Sequence, residues 1–481
     1  MNMKKILTIL VSFAALIAAN SCSKDFIEKT KPYSLTSETV FSSPELIEAN
    51  LLGCYYVFKS SNPTFMGGRA VVIADSRGDD MVNVSNPQTL SDTYNMSILG
   101  TSLENNEIWT YAYYAINYSN VFVDKLEKYN CAEILGQQKY DQFLAEARFI
   151  RAYSYYVLCQ LYSQPYCINP DALAVPLRLT GLESSGNNNC PESTIAQVYN
   201  QILEDCMPDK LPADATVAGD TDAISRASAA AAHLLRMRVY MAMQNWDAAI
   251  TEGKAITGFE LAEDVSSLYG KTEKDVAASG EMIFALPSTT KDKPNTQMSC
   301  AEYYHPNAQV SWIDEANGIA SKEGYFLNED ARVNKLVSEA DGNGYRYTLK
   351  FMDYGGHLDW VPLMRYAEVV LNLAECYANK TDGATDAKAL LAQVRRRSIS
   401  ADDDIIDIES LNGASLKTAV YDERRLEFLA EGLRGFDIIR RGESFTKKNA
   451  FVDINVAPES NKYVWPIPDQ EKSYNKEIKK K

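Results

Sequence analysis

The sequence predicts a mostly α-helical fold: helix pairs stacked like tetratricopeptide repeats, with a loop-rich face suited to ligand binding and a few short strands. Three observations carry that reading. Apolar residues recur at three- and four-residue spacing over long stretches, two segments fold back as helix, turn and helix, and one segment alternates as a strand does. At 46% hydrophobic and 23% charged, the composition is globular, with ample apolar material for a core.

The chain opens with Lys4 and Lys5, an apolar run from Ile6 to Ala19, and then Asn20-Ser21-Cys22. This is the layout of a secretory signal, and the run is shorter than the roughly 20 apolar residues that span a bilayer. A cysteine at that point resembles the lipobox of bacterial lipoproteins, in which the thiol is acylated and becomes the new N-terminus. Residues 1–21 are therefore expected to be a signal peptide, Cys22 the lipid attachment site and 22–35 a polar tether. The remainder, 36–481, is expected to be one domain with loop insertions near 67–106 and 257–362.

Pro44 to Lys59 reads as the first helix, with Ser42 or Ser43 as cap and Pro44 in its first turn. Glu107 to Tyr129, Tyr140 to Tyr162 and Thr194 to Met207 follow, each with an apolar stripe. Ala227 to Gln244 and Trp246 to Ile256 form a helix pair broken at Asn245. Arg365 to Ser398 forms another, turning at Thr381-Asp382-Gly383, and its length fits the tetratricopeptide period of about 34 residues. Asp341-Gly342-Asn343-Gly344 predicts a hairpin turn leading into the alternating strand Tyr345, Tyr347, Leu349, Phe351. The intervening irregular regions, 67–106 and 257–362, are rich in Gly, Asn, Asp and aromatic residues, and long loops of that kind usually carry function.

The net charge of −16 argues against a nucleic-acid partner, because phosphate binding needs a basic surface. Beyond Cys22 the eight cysteines show no CxxC pair; Cys159 with Cys167 and Cys190 with Cys206 are at disulfide-compatible spacings, and buried thiols explain them equally well. The three histidines form no HExxH pair, and there is no nucleophile elbow, Walker loop or dinucleotide fingerprint. No cofactor is implied. Asp402-Asp403-Asp404 lacks the alternation of a calcium loop, whereas Asp75 with Asp79-Asp80 is a polar cluster beside aromatics.

Tyr421 to Gly442, YDERRLEFLAEGLRGFDIIRRG, carries an apolar ridge of Leu426, Leu429, Leu433, Phe436 and Ile439 and reads as one buried helix. Gly432 and Gly435 in it imply close backbone approach, and Glu431 and Arg434 can pair on its flank. This segment resembles the signature of SusD/RagB-type outer-membrane lipoproteins. Ala145 to Ala152, Asp330-Ala331-Arg332, Arg365 to Glu375, Val394-Arg395 with Arg397, and Trp465 to Pro468 fall in that family's order, as does Trp109 with Tyr114, Ile116 and Asn120, which makes Trp109 core. Two elements depart from it: Ser23-Lys24-Asp25 lacks the acidic surface-export cue, and Asn475-Lys476 stands where the family closes on asparagine-proline.

The resemblance implies a non-enzymatic lipoprotein of the outer membrane, facing the cell exterior, that captures oligosaccharides and passes them to a SusC-like TonB-dependent transporter. Sugar rings need flat aromatics for their C–H faces and polar groups for their hydroxyls. Tyr94, Tyr303, Tyr304 and Trp312 are the aromatic candidates and Asp75 and Asp80 the hydroxyl partners, with Asn83 behind them. Loop packing explains each of these positions as readily as ligand contact does. Capture of peptides, as in RagB-like relatives, hydrolysis of glycosidic bonds by a carboxylate pair, and a protein-binding helical scaffold are the competing readings.

Overall fold

The computed structural model describes residues 36–479 apart from 61–63, 85–89, 185, 187, 214–220, 271–275, 277–279 and 450. The signal segment, Cys22 and the tether lie outside the described residues.

After a single helical turn at Ser37–Val40, the first long helix, α1, is Pro44–Lys59, opened by the Ser43 hydroxyl accepting from the Leu46 N–H, with Pro44 at a position that needs no N–H donor. After α2, Arg69–Arg77, come two long helices, α3 (Leu103–Lys128) and α4 (Gln137–Tyr162). α4 buries the small residues Ala145, Ala147 and Ala152, which lets its neighbours approach closely, and it packs on α3 and on α5 (Ile195–Asp205). Thr194 caps α5 through a reciprocal capping box with Gln197.

α6 (Ala229–Ala242) and α7 (Trp246–Ala255) form the first expected hairpin, and Asn245 caps the second arm by accepting from the Ala248 N–H. α8 (Tyr366–Ala378) and α9 (Ala384–Ser398) form the next, α7 packs on α8, and α8 also packs on α10 (Gly413–Glu427). The packed helix pairs read from periodicity are thus present and form the scaffold.

Among the described residues, four two-stranded antiparallel pairs lie between the helices. β1 (Met81–Asn83) pairs with β5 (Ser311–Ile313), β2 (Leu173–Pro176) with β3 (Glu192–Thr194), β4 (Met282–Leu286) with β6 (Val361–Arg365), and β7 (Phe445–Lys448) with β8 (Asp453–Val456). The hairpin expected at 341–344 exists: Asp341 N–H donates to Tyr345 O, and Ser338 N–H to Tyr347 O, both at 2.9 Å. Its second arm is an irregular run, not a regular strand, and Ile313 N–H ties it to β5 by donating to Arg346 O at 2.9 Å.

Four expectations need correction. The region 67–106 is not a continuous loop, because α2 lies within it and is buried along its whole length. The segment 421–442 is not one helix: α10 ends at Glu427, and α11 spans Arg434–Arg441. Between them Ala430 and Gly432 take positive φ, 65° and 76°, and a Cβ on Gly432 would stand 2.8 Å from Val71 Cα. The glycines do mark close approach, since a Cβ on Gly435 would meet Ala74 O at 2.2 Å. Glu431 and Arg434 do not pair with each other; Glu431 binds Lys350 and Arg365, and Arg434 binds Asp79. All eight cysteines among the described residues are free, six of them buried, so neither Cys159/Cys167 nor Cys190/Cys206 is a disulfide. No helix among the described residues is long and apolar enough to cross a membrane.

Candidate ligand-binding site

The family-like motifs converge on a buried charge lattice. Arg365 Nη1 contacts Glu281 at 2.7 Å and Glu427 at 2.5 Å, while its Nε reaches Glu431 at 2.8 Å. Arg332 binds Asp330, Glu423 and Glu427, and Arg395 bridges Glu423 and Asp404. Arg397 closes the set on Glu427 and Glu281, and Lys350 adds a contact to Glu431. Farther along, Arg424 and Arg440 share Asp437, and Arg440 also clamps Glu375. Burial alone would push the Glu427 carboxyl up, but the guanidinium groups of Arg397, Arg365 and Arg332 outweigh it and hold it well below the usual range. Each carboxylate here is spoken for by a cation, which suits architecture more than proton transfer.

Asp75 and Asp80 sit at the edge of this interior. Asp75 lies on α2, where it accepts from the Tyr304 hydroxyl at 2.8 Å and from the Gly432 N–H at 2.9 Å. Burial pushes its carboxyl up to about 7, against the pull of those two donors. Asp80 takes Arg425 at 2.5 Å and the Ile319 N–H at 2.7 Å. Tyr303 is buried and bonds Arg69 and the Gln297 carbonyl. Asn83 is fully buried on β1. Asp75 and Tyr304 are thus brought together, all five side chains face inward, and Asp75, Asp80, Tyr303 and Tyr304 are held by protein partners.

Tyr94 is also enclosed. Its hydroxyl accepts from Asn449 Nδ2 at 2.7 Å, and the Lys447 ammonium lies 4.2 Å from its ring centre. Burial pushes that ammonium down to about 7, and it donates to the carbonyls of Ser76 and Tyr94.

Trp312 stands apart from the others. β1 and β5 place it opposite Val82, in a small cluster of its own with Val82 and Tyr347. Tyr345 stacks on it with ring centres 4.2 Å apart and planes 14° apart, and Phe451 meets it edge-on at 5.8 Å. Trp312 is only 6% exposed, whereas Phe451 is 52% exposed and Tyr345 is half-buried. The result is a three-ring platform whose outer surface belongs to Tyr345 and Phe451, with Trp312 as its backing plate. Elsewhere in the 257–362 region, His305 stacks on the exposed Tyr354 at 5.4 Å.

Sequence reasoning did not single out Tyr345 and Phe451, the rings that pack on Trp312. Phe451 carried a signal: a phenylalanine at the tip of a polar turn, Lys447-Lys448-Asn449 before it and Asp453 after it, has no core to enter. Among the described residues, no group of three or more His, Cys, Asp or Glu side chains is disposed to hold a metal ion.

The chain is similar to known proteins over most of its length. The SusD family profile matches residues 230–481, and a second, described as starch-binding associating with outer membrane, matches 25–241. A solved SusD superfamily protein from Bacteroides fragilis is 45% identical, with a TM-score of 0.86 over 92% of this chain and 100% of that one. A SusD-like carbohydrate binding protein from Bacteroides vulgatus is 20% identical, with a TM-score of 0.74 over 91% of this chain and 97% of that one. A SusD-like protein of Formosa agariphila is 22% identical over 91% of this chain and 90% of its own length.

Proposed function

The chain belongs to the SusD family, and from that premise we propose that it captures oligosaccharides at the outer-membrane surface and delivers them, uncleaved, to a TonB-dependent transporter of the SusC type. Cys22 anchors it through lipid, with the domain on the exterior side. The observation that carries the reading is the ring platform of Tyr345, Trp312 and Phe451. Stacked rings at a loop-rich surface offer a flat, rigid face to the C–H side of a sugar, and each ring contact adds on the order of 1 kcal/mol. A few such contacts give micromolar to millimolar affinity, weak enough for cargo to be handed on. The description of the matching amino-terminal profile as starch-binding, and the carbohydrate-binding description of a structural relative, support the same ligand class.

The carboxylates of the buried lattice are committed to arginines, and Asp75 is held by Tyr304 and the Gly432 N–H, which is why cleavage is not part of this reading. Peptide capture is tested against it directly. Calorimetric titration of the purified chain with neutral oligosaccharides and with a peptide pool, followed by chromatography of the recovered ligand, decides the matter. Saccharide binding with intact recovery is expected; peptide binding alone, or shortened saccharides, would refute it.

A further inference from the structure

A second feature lies on the outer face of α3, sharing no ring with the platform. Tyr114 lines three adjoining hollows of about 250, 350 and 430 Å³. Tyr474, Tyr114, Tyr118 and Tyr56 stand along this trough at 67%, 52%, 53% and 53% exposure. Four tyrosines so exposed on one surface are not explained by folding, which would bury them or space them singly.

The trough is lined mostly by apolar surface, and a few polar groups are set into it. Glu471 accepts from Trp109 Nε1 at 3.3 Å, and its other oxygen accepts from Asn475 Nδ2 at 3.0 Å and lies 3.4 Å from Arg178. Arg178 Nε and Nη1 and the Asn188 side-chain amide take no partner among the described residues. Donors from Arg178 and Asn188 therefore alternate with the acceptor Glu471 beneath ring walls. Vicinal sugar hydroxyls, each both donor and acceptor, match that alternation. Glu471 and the net charge of −16 disfavour an acidic sugar. A dry protein-docking patch would instead centre on enclosed apolar side chains.

We propose that the α3 trough is a second binding site, for a neutral oligosaccharide, with Tyr114 and Tyr474 as stacking walls and Arg178, Asn188 and Glu471 as hydroxyl partners. This rests on the reading that the chain handles saccharides, and it adds a second hold on one long polymer. Two weak sites on one chain strengthen retention without new contacts at either.

The five tryptophans allow the two sites to be read separately, since Trp109 lines the trough and Trp312 backs the platform. The full chain is labelled with 5-fluorotryptophan, its resonances assigned by single Trp→Phe variants, and titrated with maltoheptaose, cellohexaose, mannohexaose and hexagalacturonate. The Trp109 resonance is expected to shift with at least one neutral chain and not with hexagalacturonate. Tyr114→Ala combined with Tyr474→Ala is expected to weaken that response about tenfold or more, leaving the Trp312 response in place. Both rings are exposed, so this double variant keeps the fold. A Trp109 resonance unmoved by every neutral chain, or one that the double variant leaves unchanged, overturns the second site. A Trp312 resonance that stays silent while Trp109 responds overturns the platform and leaves the trough standing.

Discussion

The charge lattice behind α10 and the ring platform on β5 are made of opposite materials under opposite demands. The lattice puts Arg365, Arg332, Glu427 and Glu431 beyond the reach of water, each cation facing several anions, so that desolvation is offset by many short contacts. The platform keeps one ring, Phe451, half in solvent and braces it edge-on against a stacked pair. The motif that resembles the family supplies the first and is silent on the second. A densely patterned segment here specifies how helices dock, while the outer rings of the platform, Tyr345 and Phe451, come from turns beyond the helical core.

The largest effect separating the two regions is expected at Arg365. Arg365→Met leaves Glu281, Glu427 and Glu431 short of a shared cation, although Arg397, Arg332 and Lys350 remain near them. Removing one partner from a buried ionic set costs about 3–5 kcal/mol. The urea midpoint should fall accordingly; a variant unfolding at the wild-type midpoint would mean that the lattice is not structural. Next comes Trp312→Ala, which deletes a mostly buried indole from a satellite cluster and is expected to cost about 3 kcal/mol. Far-UV circular dichroism should show unchanged helix, because that cluster lies outside the helical core, while much of the glycan affinity is lost. An unaltered calorimetric titration would remove Trp312 from the site.

Local signals made the helices legible. Ser43-Pro44 and Thr194 with Gln197 mark the starts of α1 and α5 by their own chemistry, needing no distant partner. The break inside 421–442 was hidden because its cause is tertiary: Gly432 turns to present its N–H to Asp75, which lies 357 positions away. The candidate site divides in the same way. Residue type and loop context pointed to Asp75, Tyr304 and Trp312, but burial follows from pairing over 229 positions between Asp75 and Tyr304. Likewise, the partnership of Trp312 with Tyr345 exists only once the 341–344 hairpin lies across β5.

Asp75 offers a pH-dependent way to sharpen the comparison, because it is buried as the lattice is yet has no cation in direct contact. Its folded carboxyl titrates at about 7 and its unfolded one near 4, so between those values the folded chain binds more protons than the unfolded one. Stability from this group is therefore lost as pH rises through that window, the reverse of a salt-bridged carboxylate. Between pH 5 and pH 8 the wild type should lose on the order of 2 kcal/mol relative to Asp75→Asn, whose amide does not ionise. Denaturation of both proteins at the two pH values checks this, and parallel pH profiles would show that the carboxyl ionises without cost.

The smallest expected effect is also the most diagnostic. Phe451 is 52% exposed at the tip of the β7–β8 turn, and its ring touches Trp312 only along an edge. Truncating it removes little buried area, so Phe451→Ala should leave the unfolding free energy within about 0.5 kcal/mol of wild type. A sugar resting on the platform would lose one ring contact, about 1 kcal/mol or roughly fivefold in affinity, measured by calorimetry with whichever saccharide binds the parent chain. A stability loss with no change in affinity would make Phe451 a packing residue and move ligand contact elsewhere on the loop face. The expected result, affinity reduced and stability kept, is the converse of Arg365→Met, whose stability loss should come without any direct contact to a sugar.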